Sequence, residues 1–180
     1  DDLKIKISPS RRLILMIIFL FLCIRFVPIE ILNVDIPFLS KLLSNNTFSS
    51  LFVLLCFLFV INGANLIDGF NGLLAINLII INSILAYINL ADGINEFSVV
   101  IIGQIIVLFS FLLFNFPGAK IFLGDSGSYL LGSLVALNVI ITNNINPDYS
   151  SFFFCILLFY LFFEVFFSFF RKIMQKKSPI

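Results

Sequence analysis

Apolar residues run along the chain in six blocks, at about 13–29, 50–61, 73–91, 97–114, 128–142 and 151–170. A helix needs roughly 20 mainly apolar residues to cross the hydrocarbon core of a bilayer. An open strand cannot cross, because its backbone groups would go unpaired in lipid. Each block therefore predicts a helix. The second and fifth blocks are short, so their helices are expected to borrow flanking polar residues or to tilt. Segments rich in Asn, Gly, Pro, Asp and Ser separate the blocks and have the chemistry of turns. No internal repeat is visible, and the only biased tract is the Phe-rich one, as in Phe152-Phe153-Phe154.

Composition agrees with that pattern. The 180 residues are 61% hydrophobic and 12% charged, with 25 Phe and no Trp, and mean hydropathy is +1.15. A soluble domain of this size would need far more polar surface. The fold class is thus all-α, a polytopic membrane bundle of about six spans forming one domain over residues 1–180. Cys23, Cys56 and Cys155 lie singly inside apolar blocks, a spacing that supports neither a disulfide framework nor a zinc site.

Six spans fix a parity. The N-terminal segment, the loops at 62–72 and 115–127 and the C-terminal tail share one side; 30–49, 92–96 and 143–150 share the other. Lys4, Lys6, Arg11, Arg12, Lys120, Arg171, Lys172, Lys176 and Lys177 fall on the first side, and only Arg25 and Lys41 on or near the second. The positive-inside rule makes the first side cytoplasmic. Asp1, Asp2, Asp68 and Asp125 fall there as well, whereas Glu30, Asp35, Asp92, Glu96 and Asp148 are external and Glu164 lies in the last span. The net charge of +1 gives no basis for a nucleic-acid partner, and none is expected.

Two cytoplasmic loops carry chemistry. Asn62, Asn65, Asp68 and Asn71 recur every three residues among Gly63, Gly69 and Gly72, a polar stripe along a helix end. A plain Asn/Gly turn would not need eleven residues. In the second loop Pro117-Gly118 ends one helix and Gly124-Asp125-Ser126-Gly127-Ser128 opens the next. A helix N-terminus with small residues offers free N–H groups and a positive dipole end to phosphate; the plainer alternative is that Asp125 or Ser126 caps the helix. Asp1-Asp2 adds a carboxylate pair of the kind that suits magnesium, which favours hard oxygen ligands and keeps positions for water and substrate phosphates. The chain has no His, no nucleophile-elbow serine and no Walker-type loop. Metal-assisted phosphoryl chemistry is the class these residues support.

At these motifs the sequence resembles the polyprenyl-phosphate N-acetylhexosamine-1-phosphate transferases, glycosyltransferase family 4, a superfamily that includes the peptidoglycan phospho-N-acetylmuramoyl-pentapeptide transferases. The match is carried by Asp1-Asp2 before Ser8-Pro9-Ser10-Arg11-Arg12, by Asn62-x-x-Asn65-x-x-Asp68-Gly69-x-x-Gly72, and by Asn115 ten residues before Asp125 in Phe122-Leu123-Gly124-Asp125-Ser126-Gly127-Ser128. Glu164 stands where the family has an acid in its late helix. The resemblance implies transfer of a sugar 1-phosphate from a UDP-N-acetyl amino sugar to a membrane polyprenyl phosphate, releasing UMP. Magnesium is the implied ion, manganese the alternative, and a second copy of the chain a further candidate partner. Residue by residue, it implies Asp1 or Asp2 as base on the lipid phosphate or as a metal holder. Asp68 and Asp125 are implied as catalytic metal ligands, and Asn65 as lining the diphosphate site. Asn115 and Phe122 would bind uridine, and Lys120, Gly124 and Ser126 would complete the substrate site. The implied setting is a bacterial inner membrane with the site on its cytoplasmic face.

Two departures matter. The second motif ends in Asn71-Gly72 where the family more often has Asp-Gly, so Asn71 receives no catalytic role. The His-rich loop that follows the family's Ser-Pro element and the helices that precede its Asp-Asp pair are not in this sequence; the expectation is the central part of a longer enzyme. The motif form is closer to surface-polysaccharide initiators of the O-antigen type than to the peptidoglycan enzyme. Outside this class, Glu164 in a span would suit a transporter, and Asn71 would suit an inactive scaffold.

Overall fold

The computed structural model describes residues 8–27, 29–32 and 34–175. Its elements are α1 (Pro9–Phe26), α2 (Pro37–Leu43), α3 (Asn46–Ile67), α4 (Leu73–Ala91), α5 (Asn95–Asn115), α6 (Gly124–Ile145), α7 (Ser151–Leu157) and α8 (Phe159–Met174), with no strand among the described residues. Each apolar block became helical, and the two short ones did borrow polar neighbours: α3 begins at Asn46 and α6 at Gly124. Local chemistry sets the starts. Pro occupies the first turn of α1 and α2, where its missing N–H is not needed. The Asn45 side chain accepts from the N–H groups of Thr47 and Phe48, and Ser150 Oγ from that of Phe152.

Four helices, α3 to α6, are long and apolar enough to cross a membrane, and α7 with α8 makes a fifth if that pair, bent by 60°, is one span. The sixth expected span is α1. Its 18 residues carry Arg11, Arg12 and Arg25, more charge than a lipid-exposed span readily holds. No Pro or Gly stands at the α7–α8 break. At and just past the break Leu158 and Leu161 are buried, and the Leu161 backbone lies directly against Gly63. The seven-residue α2 was not foreseen.

At the centre is α3, packed on α1, α6 and α8, while α4 joins α6 to α5. Small residues permit the closest approaches. An ideal Cβ on Gly63 would lie 2.5 Å from the Leu161 carbonyl oxygen, and one on Gly132 would lie 2.9 Å from Ile61 Cα. Membrane helices associate through such packing because lipid offers little hydrophobic drive. The outer helix α5 buries only Ser98, Ile101, Leu108 and Asn115, a seam with a seven-residue repeat. Buried amides join α4, α5 and α6: Asn138 Nδ2 donates to Asn82 Oδ1 (3.1 Å) and to Gln104 Oε1 (2.7 Å). Nearer the other end, Asn89 Nδ2 donates to Thr142 Oγ1 (3.0 Å) and Asn146 Nδ2 to Asn89 Oδ1 (2.9 Å).

Hydrogen bonds at the two ends confirm the expected parity. At one end Asn65 and Arg12 reach Asp125, and Asn71 reaches Pro117. At the other, Asn144 Nδ2 donates to the Glu30 carbonyl, and Asp35 Oδ2 accepts from Ser150 Oγ (2.6 Å) and the Ser151 N–H (2.7 Å). Those last bonds hold the Asp35 carboxyl below the usual carboxylate range, Ser150 contributing most.

Candidate active site

The first site loop follows directly from the end of α3. Asn62 and Asn65 are still helical, Asp68 is the C-cap, and Asn71 lies in the following turn. At 100° per residue a spacing of three slips back by about 60° per step, so the predicted stripe fans out instead of running straight. Asn62 turns its amide onto the Leu58 carbonyl. Asn65 Nδ2 crosses to α6, donating to Asp125 Oδ1 (3.2 Å) and Ser128 Oγ (3.0 Å). Asp68 is half-buried, and burial pushes its carboxyl above the ordinary carboxylate value. Asn71 is exposed and donates to the Pro117 carbonyl (3.0 Å), a tie between loops that agrees with its having no catalytic assignment.

The second loop is held on the first. Gly72, at φ +76°, N-caps α4; its N–H donates to Asn115 Oδ1, while Asn115 Nδ2 donates to the Ile121 carbonyl (2.8 Å). Asn115 is buried with both ends of its amide engaged. Any Cβ on Gly72 would press on Phe116 at 3.0 Å, and the left-handed backbone also favours Gly. Phe122 is 71% exposed, and Lys120, two residues before it, is exposed as well.

Neither Asp125 nor Ser126 caps α6. The N-cap is Leu123, with no side-chain cap bond, so the N-terminus keeps its donor character, and Asp125 lies in the first turn. Gly124 has φ +64° with nothing within 4 Å of an added Cβ, and Gly124, Asp125 and Ser126 are all exposed. The buried Ser128 donates to the carbonyls of Gly124 and Asp125 and accepts from Asn65, which sets the rim of the site on the core.

Three contributors escaped the sequence reading. Arg12 Nη1 makes an ion pair with Asp125 Oδ2. Arg12, Asp125, Asn65 and Lys172 line a cavity of about 360 Å³ between α1, α3, α6 and α8. Arg12 and Lys172 count on sequence grounds among the cytoplasmic cations, and Arg12 also within the first motif, but neither receives a site role there. Ser128 was inside the quoted motif, and its place three residues after Asp125 on a helix was the available signal. Asp1 and Asp2 lie outside the described residues; the structure joins Asn65 to Asp125, and Asp68 stands three residues after Asn65 at the end of α3.

Comparison with known proteins bears on what this arrangement serves. The family model described as glycosyl transferase family 4 matches residues 1–143, a stretch containing both loops. The chain belongs to glycosyl transferase family 4. A Thermotoga maritima protein named undecaprenyl-phosphate alpha-N-acetylglucosaminyl 1-phosphate transferase is 34% identical over 71% of the chain and 38% of its own length. A Sulfolobus acidocaldarius protein named putative UDP-N-acetylglucosamine–dolichyl-phosphate N-acetylglucosaminephosphotransferase is 38% identical over 57% of the chain and 32% of its own length. A Clostridium perfringens phospho-N-acetylmuramoyl-pentapeptide-transferase is 32% identical over 61% of the chain and 34% of its own length. The matched stretch thus spans about a third of each of these relatives. No solved structure matches it.

Hard oxygen donors suit a divalent ion here. Among the described residues no group of three or more His, Cys, Asp or Glu side chains forms a metal cage. Magnesium, however, is usually held by one or two carboxylates plus water and substrate phosphate, and Asp125, exposed in the first turn of α6, is a carboxylate of that kind. A desolvated Asp68 carboxyl would gain from a neighbouring dication, which favours its ionised form.

Proposed function

We propose that this chain forms the membrane-embedded site at which a sugar 1-phosphate passes from a UDP-N-acetyl amino sugar to a polyprenyl phosphate, releasing UMP. The observation that carries the reading is the convergence on Asp125. It stands in the first turn of an uncapped helix, is held by Asn65 from α3, and opens on a cavity with both cationic and apolar walls. A nucleotide diphosphate needs the first feature and a lipid phosphate the last.

The chain's own residues divide the work. The α6 N-terminus, with Gly124 and Ser126, receives the diphosphate and counters its charge. Phe122 offers an exposed ring on which uracil stacks, and Asn115 holds that loop against Gly72. Lys120 approaches the same diphosphate. Asp68 and Asp125 hold magnesium or manganese, which when bound offsets the charge that develops between the phosphates. Asp1 or Asp2 takes the proton from the lipid phosphate or helps to hold the ion.

The site lies on the cytoplasmic face of a bacterial inner membrane in this reading. Arg11, Arg12, Lys120, Arg171 and Lys172 stand at its end of the bundle and only Arg25 and Lys41 near the other. The product would enter surface-polysaccharide or cell-wall assembly. The test is a membrane assay of the whole protein with radiolabelled UDP-amino sugar, polyprenyl phosphate and magnesium. Label in a lipid-linked product supports the proposal; no such product with any UDP-N-acetylhexosamine sinks it.

A further inference from the structure

Arg12 is placed oddly for a structural residue. It falls in the first turn of α1 beside Arg11, where the helix dipole opposes positive charge. Its guanidinium takes Asp125 Oδ2 while Asn65 holds Oδ1 from the other side. The pair is not locked in, since the two side chains keep 39% and 48% of their surface exposed. Pairs so exposed are weak and readily exchanged. A dication at Asp125 would need an oxygen that Arg12 now occupies, and it would repel the guanidinium at that distance. Besides Arg12, the cavity is lined by Lys172 and by the apolar Met16 and Leu66. That mixture fits an anionic head joined to an apolar chain. A guanidinium fork also matches phosphate oxygens two at a time.

We propose that Arg12 is an exchangeable counter-ion: it neutralises Asp125 while no divalent ion is present, and turns to the phosphomonoester of a lipid in the adjoining cavity when an ion takes Asp125. The inference rests on the metal-site reading above and adds an order to it. Metal and lipid phosphate then favour each other's binding, because each draws Arg12 away from the state that opposes the other. Arg12 acts here as a positioning residue, through Asp125 and the lipid head.

The experiment uses the whole protein in neutral detergent at low salt. Mn²⁺ binding is read by electron paramagnetic resonance, with and without dodecyl phosphate. In the unmutated protein dodecyl phosphate should tighten Mn²⁺ binding. Arg12→Gln should bind Mn²⁺ about two- to five-fold more tightly in its absence, the effect of losing a weak exposed pair, and the tightening by dodecyl phosphate should shrink. Arg12→Met, which keeps an apolar stem and loses only the charge, carries the same expectation if the Gln variant is misfolded. Unchanged or weaker Mn²⁺ affinity in a folded Arg12 variant overturns the proposal. So does coupling that persists at full strength without Arg12, or is missing from the unmutated protein. Asp125→Asn separates the two readings. If Mn²⁺ binding survives it, the metal assignment fails and the exchange falls with it; if binding is lost yet Arg12→Gln changes nothing, the exchange alone is refuted.

Discussion

Gly132→Ala adds one methyl group at the point where α3 and α6 come closest. The new Cβ would stand 2.9 Å from Ile61 Cα, 3.0 Å from Ala64 Cβ and 3.4 Å from the Val60 carbonyl oxygen. Ordinary carbon contacts lie near 3.5–4.0 Å, and the opposing atoms are mostly backbone, so the helices must part by roughly half an ångström or more. Overpacking of this kind costs about 1–3 kcal/mol. The same movement reaches the site, because Asn65 adjoins Ala64 and its 3.2 Å bond to Asp125 has little slack before it exceeds hydrogen-bond range. Thermal unfolding of the purified protein in detergent should therefore fall by several degrees, and lipid-linked product should fall with it. Gly103→Ala is the matched control. It makes the same chemical change in α5, where nothing lies within 4 Å of the added Cβ, and should leave both readouts alone. If Gly132→Ala tracks Gly103→Ala in melting temperature and turnover, the close α3–α6 contact does not set the site.

Other perturbations separate site from scaffold. Asp125→Asn should remove nearly all lipid-linked product, whereas Asp148→Asn, at the opposite end, should leave it unchanged; equal losses in the radiolabel assay would argue against the site assignment. Asn138→Leu strips the donor from the buried Asn82 oxygen and the half-buried Gln104 oxygen and should cost about 0.6–2 kcal/mol, read as a lower melting temperature that Asn82→Leu does not deepen additively. Asp35 is an acid-sensitive tie. Its folded carboxyl titrates below the ordinary 3.8, so its stabilisation is present above that value and lost as pH falls through the depressed one. Melting temperatures of wild type and Asp35→Asn should differ at pH 7 and converge on strong acidification; a gap that widened in acid would reverse the sign of this reasoning.

What the sequence by itself determined follows from the lipid solvent and from short-range chemistry. A bilayer requires each apolar block to be helical, and the order of those blocks with the charge counts pointed to which loops share an end. The Asn65–Asp68 and Gly124–Ser128 motifs were legible as a site because glycines, amides and carboxylates crowded in membrane loops have little structural reason to be there. Tertiary structure decided the pairings. That Arg12 meets Asp125 across 113 positions, or that Asn65 reaches both Asp125 and Ser128, follows from how α1, α3 and α6 pack, and helical period alone does not specify packing partners. The same holds for Asn115, whose bonds to Gly72 and Ile121 appear only once the loops fold together. The bend between α7 and α8 is the plainest case: no breaker residue marks it, and the Leu161 backbone lies against Gly63 just past it.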